Sequence, residues 1–251
     1  MKILILTDER TGGTSFSRIC GAITGGLYID DINTHFDKIK NKDTSSWAYN
    51  YCVQHNIKLD EYFNNYTTFN EVNIYNMIVF LFENGIDIFK LSINDSIWSP
   101  KQLHMLLYLL KLNTAEITLI KLIRQNNFNK ILSKCIAVTL HKIIGDDAYD
   151  VKKDTYDIVI DENEFKYICS IKLHTHKIIS DIIVPDGNIF IYETFYGNIK
   201  NVEQLKKVLN CDTINNNDFF LENYYKDYKS ENVKVQNVKN LKQIFINDYY
   251  H

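Results

Sequence analysis

The stretch KILILTDERTGGTSFSRICGAITGG, residues 2–26, decides the fold class. Residues 2–7 form a short apolar run of β-forming residues, the pattern of a strand buried on both faces of a parallel sheet. From Thr14 the period changes. Phe16, Ile19, Cys20 and Ile23 recur at i, i+3, i+4 and i+7, which is one face of a helix. Thr14 or Ser15 is expected to cap that helix, and Gly25-Gly26 to stop it. Between strand and helix lie Gly12 and Gly13, an adjacent pair in a chain that has only nine glycines among 251 residues. Glycine lets backbone N–H groups approach an anion with no Cβ in the way, and the helix adds its positive N-terminal end. Thr11, Thr14 and Ser15 add hydroxyls, and Arg10 adds a planar cation suited to phosphate or sulfate. A tight turn with nothing bound explains the two glycines equally well. The loop is not a G-x-x-x-x-G-K-[ST] phosphate loop, having no lysine at that place, nor a G-x-G-x-x-G dinucleotide turn.

The rest of the chain repeats the alternation. Strands are expected at 86–93 (IDIFKLSI), 115–123 (AEITLIKLI) and 188–195 (NIFIYETF). Helices are expected in VNIYNMIVFLFENG, in PKQLHMLLYLLKL with Ser99 as cap and Pro100 first, in NNFNKILSKCIAVTLHKII, and in VEQLKKVLN. Residues 154–179 read as a short extended piece followed by a helix, and 33–85 as polar and mostly helical or irregular. Alternating strands and helices define an α/β fold with a mainly parallel central sheet flanked by helices. No linker divides the chain, so one domain spanning 1–251 is expected. Such folds bind ligands at the carboxyl ends of their strands, where the 8–15 turn lies.

Bulk properties exclude some functions. A formal charge of −3 gives no reason to expect nucleic acid or an anionic membrane as partner. Five widely spaced cysteines without C-x-x-C suggest neither a disulfide framework nor a zinc knuckle, and a reducing, cytoplasmic setting is expected. No apolar run reaches the ~18 residues of a membrane span. His174 and His176 would share a face only on a strand. With no third ligand evident, no metal is expected. His35 and His104 are further titratable candidates.

A second anion site is legible at LIRQNNFNKILSKCIA. Arg124 ends a strand, and Ser133 lies nine positions later in the next helix, off the apolar stripe of Phe128, Ile131 and Leu132. A strand-end arginine and a helix serine can together hold a phosphate.

These two segments resemble a known family. RTGGTSFSRICGAI is similar to the 5′-phosphosulfate loop of sulfotransferases that use 3′-phosphoadenosine 5′-phosphosulfate (PAPS), and LIRQNNFNKILSKCIA to their 3′-phosphate segment. IFKLSIND resembles the family strand that precedes the 3′-phosphate segment, and IFIYETFYGNIKNVEQLKKVLN and VKVQNVKNLKQIFIN resemble later family elements, in the family's order across nearly the whole chain. The flavour is that of bacterial carbohydrate sulfotransferases acting on trehalose-like sugars and nodulation-factor lipo-oligosaccharides. The resemblance implies a P-loop-like sulfotransferase fold. It assigns Arg10, Thr11, Gly12, Gly13, Thr14 and Ser15 to the 5′-phosphosulfate, and Arg124 and Ser133 to the 3′-phosphate. Glu9 stands where the family commonly has proline, and Gly13 where it commonly has a hydroxyl residue.

In-line sulfuryl transfer needs both ends positioned, developing charge neutralised and a proton taken from the acceptor. Arg10 is the expected cation. In carbohydrate members a glutamate often lies about twenty residues beyond the loop arginine. Here Asp31 stands twenty-one positions past Arg10, and is the expected base, with Asp30 beside it as substitute. Glu193 matches a family acid that supports the nucleotide site, and Lys90 lies in a family-like strand where it can face the transferred group. The implied acceptor is a hydroxyl of a sugar or glycolipid, with 33–85 as a helical insertion on the acceptor side. The released product is 3′-phosphoadenosine 5′-phosphate. Two rivals remain open at this level: a kinase-like phosphotransferase on a related fold, and a nucleotide-binding or structural protein without catalysis.

Overall fold

A computed structural model describes residues 1–8, 13–29, 32–63, 70–93, 100–113, 117–145, 156–196, 199–211 and 233–249. Strand β1 (Lys2–Asp8) runs into helix α1 (Gly13–Thr24), and Gly25, at φ +67, ends the helix in a conformation that favours glycine. β2 (Leu27–Ile29) follows, then four helices: α2 (Ile32–Lys40), α3 (Trp47–Gln54), α4 (Leu59–Phe63) and α5 (Glu71–Glu83). β3 (Ile86–Ile93), α6 (Pro100–Asn113), β4 (Ile117–Ile123) and α7 (Asn127–Ile144) continue the alternation. β5 (Tyr156–Ile158), α8 (Glu162–Asp181), β6 (Ile189–Ile191), α9 (Tyr192–Phe195), α10 (Ile199–Val208), β7 (Val233–Val235) and α11 (Val238–Tyr249) complete it.

Five strands form one parallel sheet in the order β2-β3-β1-β4-β6. β1 lies in the middle, which is why its run is apolar on both faces. Ile3 and Ile5 join Ile88, Ile120, Leu122 and Phe190 beneath the Phe16, Ile19, Cys20 and Ile23 face of α1. Leu4 and Leu6 join Phe89, Leu91 and Ile93 beneath α5, which contributes Ile74, Met77, Ile78 and Leu81. A third cluster packs Ile131 and Cys135 of α7 against Phe165 and Cys169 of α8 and Leu241 and Phe245 of α11. Beside it β5 and β7 form a two-stranded parallel sheet.

The architecture is the expected α/β class, with local departures. The extended pattern at 188–195 gives only three strand residues. After Ile191 the chain curls into α9, because Phe195 turns back onto Phe16 (ring centroids 4.8 Å) and Phe190 (5.7 Å). α1 already starts at Gly13, so Thr14 and Ser15 occupy its first turn and are not caps. β2 was not legible, three residues being too few to establish a period. Ser99 lies outside the described residues. No helix among the described residues is long and apolar enough to cross a membrane.

Candidate functional site

The carboxyl ends of β1, β3 and β4 bring the candidate groups to one edge of the sheet. On the α1 side, Thr7, Lys90 and Ser92 point from β1 and β3 toward the helix start. Lys90 is buried, and its Nζ donates to Thr14 Oγ1 at 2.7 Å. A long cation thus reaches the first turn of α1 from the neighbouring strand, whereas residues 9–12 contain no lysine. Gly13 makes that approach possible. A Cβ there would lie 2.7 Å from Thr7 Cγ2 and 2.8 Å from Lys90 Cδ. Gly13→Ala therefore forces the helix start away from the sheet. It is expected to lower stability by about 1–3 kcal/mol, read as a lower denaturant midpoint.

The second grip forms where β4 meets α7. Asn126 caps the helix, its Oδ1 accepting from Asn129 N at 3.0 Å. Glu193, reaching across from α9, accepts from the backbone N–H groups of Gln125 (3.0 Å) and Asn126 (2.8 Å). The same carboxylate lies 3.9 Å from Arg124 Nε, and the Arg124 guanidinium sits 4.7 Å from the centre of the Tyr192 ring. Arg124 is thus steered by a carboxylate on one side and an aromatic face on the other. Ser133 lies half-buried in the second turn of α7.

Between these grips lies a group that sequence reading missed. Asp8, the last residue of β1, is 3% exposed. Its Oδ2 lies 3.0 Å from Lys130 Nζ of α7, and its Oδ1 lies 2.8 Å from Lys172 Nζ of α8. Both lysines are as buried as Asp8. Burial holds the Lys130 ammonium below its ordinary pKa, Asp8 opposes that shift, and the nearby Lys172 and Arg124 cations add to it. The signal was present. Lys172 lies on the buried stripe of α8, three residues after Cys169 and three before Thr175, and Asp8 directly ends an apolar strand. Lys121 of β4 closes the other end of α8, donating to the carbonyls of Ile179 (3.1 Å), Ser180 (3.3 Å) and Ile182 (2.7 Å).

Of the residues expected at the site, Gly13, Thr14 and Ser15 stand at the start of α1, and Arg124 and Ser133 at the β4–α7 junction and on α7. Arg10, Thr11, Gly12, Asp30 and Asp31 lie outside the described residues, as does Glu9. His174 and His176 lie on α8, where two positions apart on a helix point in diverging directions. His174 is exposed, whereas burial and then the Lys130 charge hold His176 below the ordinary imidazole pKa. No cluster able to hold a metal occurs among the described residues. Burial pushes the thiols of Cys52, Cys135 and Cys169 up to about 12 and that of Cys20 higher, so none is a thiolate nucleophile at neutral pH.

No family model and no curated protein matches the chain. Among solved structures it is similar to the sulfotransferase domain from the Synechococcus PCC 7002 olefin synthase, at 16% sequence identity. The alignment covers 95% of this chain and 82% of that one, with a TM-score of 0.49.

Proposed function

We propose that the protein is a PAPS-dependent sulfotransferase, a single P-loop-like domain that transfers a sulfuryl group to a hydroxyl of a carbohydrate or glycolipid. The observation that carries this reading is the pairing of two cationic grips along one edge of a parallel sheet. Lys90 and Thr14 meet at the start of α1, and Arg124 is held at the start of α7. Two such grips suit a ligand with separated anionic groups, as PAPS has at its 5′ and 3′ positions. The residues present fit it. The space above Gly13 brings strand, helix start and Lys90 together, and Arg124 presents a planar, multiply donating cation.

In this reading Arg10 to Ser15 hold the 5′-phosphosulfate on the positive end of α1. Arg124 and Ser133 hold the 3′-phosphate, and Glu193 and Tyr192 keep Arg124 in place. Lys90, with Arg10, offsets charge on the bridging oxygen as it leaves sulfur. The acceptor oxygen bonds to sulfur while the sulfur–phosphate oxygen bond breaks. The acceptor proton passes to the Asp31 carboxylate, with Asp30 as substitute. Helices α2 to α5 form the acceptor side.

Asp31→Asn tests the chemistry separately from binding. Sulfuryl transfer from PAPS is expected to fall about 10²-fold while affinity for 3′-phosphoadenosine 5′-phosphate is retained. Undiminished transfer would place the base elsewhere.

A further inference from the structure

The Lys130 ammonium sits in an unfavourable place. Its side chain is 1% exposed, and its single ion-pair partner among the described residues is Asp8. Asp8 already pairs with Lys172 at the shorter distance, 2.8 Å against 3.0 Å. Beyond this contact with Asp8 Oδ2, Lys130 Nζ has no hydrogen-bond partner among the described residues. Asn127 Oδ1, one turn earlier on α7, is also buried without one. A buried ammonium has three N–H groups to satisfy and loses most of its hydration. Among the described residues, one carboxylate, Asp8, and two cations, Lys172 and Arg124, act on it. Methionine would fill nearly the same volume and leave Asp8 with Lys172 as a balanced pair. Replacing a buried charge by a well-packed apolar group is often neutral or stabilising. On that ground the fold is not expected to need this charge.

Its place indicates what does. Asp8 is the last residue of β1, and Lys130 lies in the first turn of α7, just past the β4–α7 junction that holds Arg124. The positive field of Lys130 acts at the carboxyl end of β1 and on Arg124, from a buried position that salt screens poorly. We propose that Lys130 is an under-compensated buried cation that raises affinity for an anionic ligand at this sheet edge, without touching it, and lowers the stability of the ligand-free fold. The proposal rests on the reading that this edge takes an anion, though not on the anion being a nucleotide.

The test compares wild type with Lys130→Met, using 3′-phosphoadenosine 5′-phosphate and inorganic pyrophosphate as probes at millimolar concentration. Two measurements are made on each: the thermal midpoint without ligand, and the affinity by titration. The ligand-free variant is expected to melt at or above the wild-type temperature. It is also expected to bind the anions about tenfold more weakly, the effect of one charge acting over roughly 10 Å at an effective dielectric constant near 20. A purely structural lysine would move both readouts in the same direction. A variant that fails to fold, or melts well below wild type, overturns the proposal, as does unchanged affinity. Wild type binding pyrophosphate but not the adenosine bisphosphate, with the variant weakened toward pyrophosphate, keeps the proposal and removes the nucleotide reading. Unchanged bisphosphate affinity in the variant keeps the nucleotide reading and removes the proposal. Binding of neither probe by wild type overturns both.

Discussion

Asp8→Asn is expected to destabilise the protein by about 3–5 kcal/mol, the usual result of deleting one member of a buried ion network. Asparagine has almost the same shape, so the loss is one of charge and not of packing. In the native fold the Asp8 carboxylate stands 2.8 Å from Lys172 Nζ and 3.0 Å from Lys130 Nζ. Without it, Lys130 keeps its burial and is left, among the described residues, with the cations Lys172 and Arg124 acting on it. The denaturant midpoint should fall with little change in the slope, since the same surface is exposed on unfolding. An unfolding free energy within about 0.5 kcal/mol of wild type would mean that the carboxylate charge does not hold the two lysines in place. Lys130→Met should lack this penalty, so the pair separates the charge that the fold requires from the charge it tolerates.

Arg124→Ala carries the second large effect, on binding and not on stability. Arg124 contributes a guanidinium between Tyr192 and Glu193, whereas the helix start beside it is held independently. Glu193 accepts from the backbone N–H groups of Gln125 and Asn126, and Asn126 caps α7. Truncation should therefore leave α7 in place. Losing a charge-assisted, multiply bonded contact to a phosphate costs about 3 kcal/mol, or ~10²-fold in affinity. That loss is expected for 3′-phosphoadenosine 5′-phosphate and not for adenosine 5′-phosphate, which has no 3′ group to lose. Titrating both nucleotides against both proteins reads the difference. Equal losses would remove Arg124 from the 3′ grip.

The parts of the fold visible in the sequence are those whose burial pattern is local. β1 shows as an apolar run because it lies between β3 and β4, and α1 shows as a 3.6-residue period because one face meets the sheet. β2 and the α9 turn were not visible. Three residues set no period, and Phe195 folds back for the sake of aromatic rings distant in sequence. The site divides in the same way. The glycine at the start of α1 and the arginine after β4 are marked by residue type at the strand ends. The Asp8–Lys130–Lys172 network is assembled from three elements, and although Lys172 falls on the buried stripe of α8, nothing local in the sequence joins it to Asp8 or to Lys130. The partnership of Lys90 with Thr14 likewise needed the register that sets β3 beside β1.

Calorimetric titration of the full chain with 3′-phosphoadenosine 5′-phosphate tests the central claim most directly. The two-grip account predicts saturable binding at one site, at least tenfold tighter than that of adenosine 5′-phosphate, since a further charge-assisted contact is worth about 1.5 kcal/mol or more. Folded protein that binds neither nucleotide, or binds both equally, would contradict it.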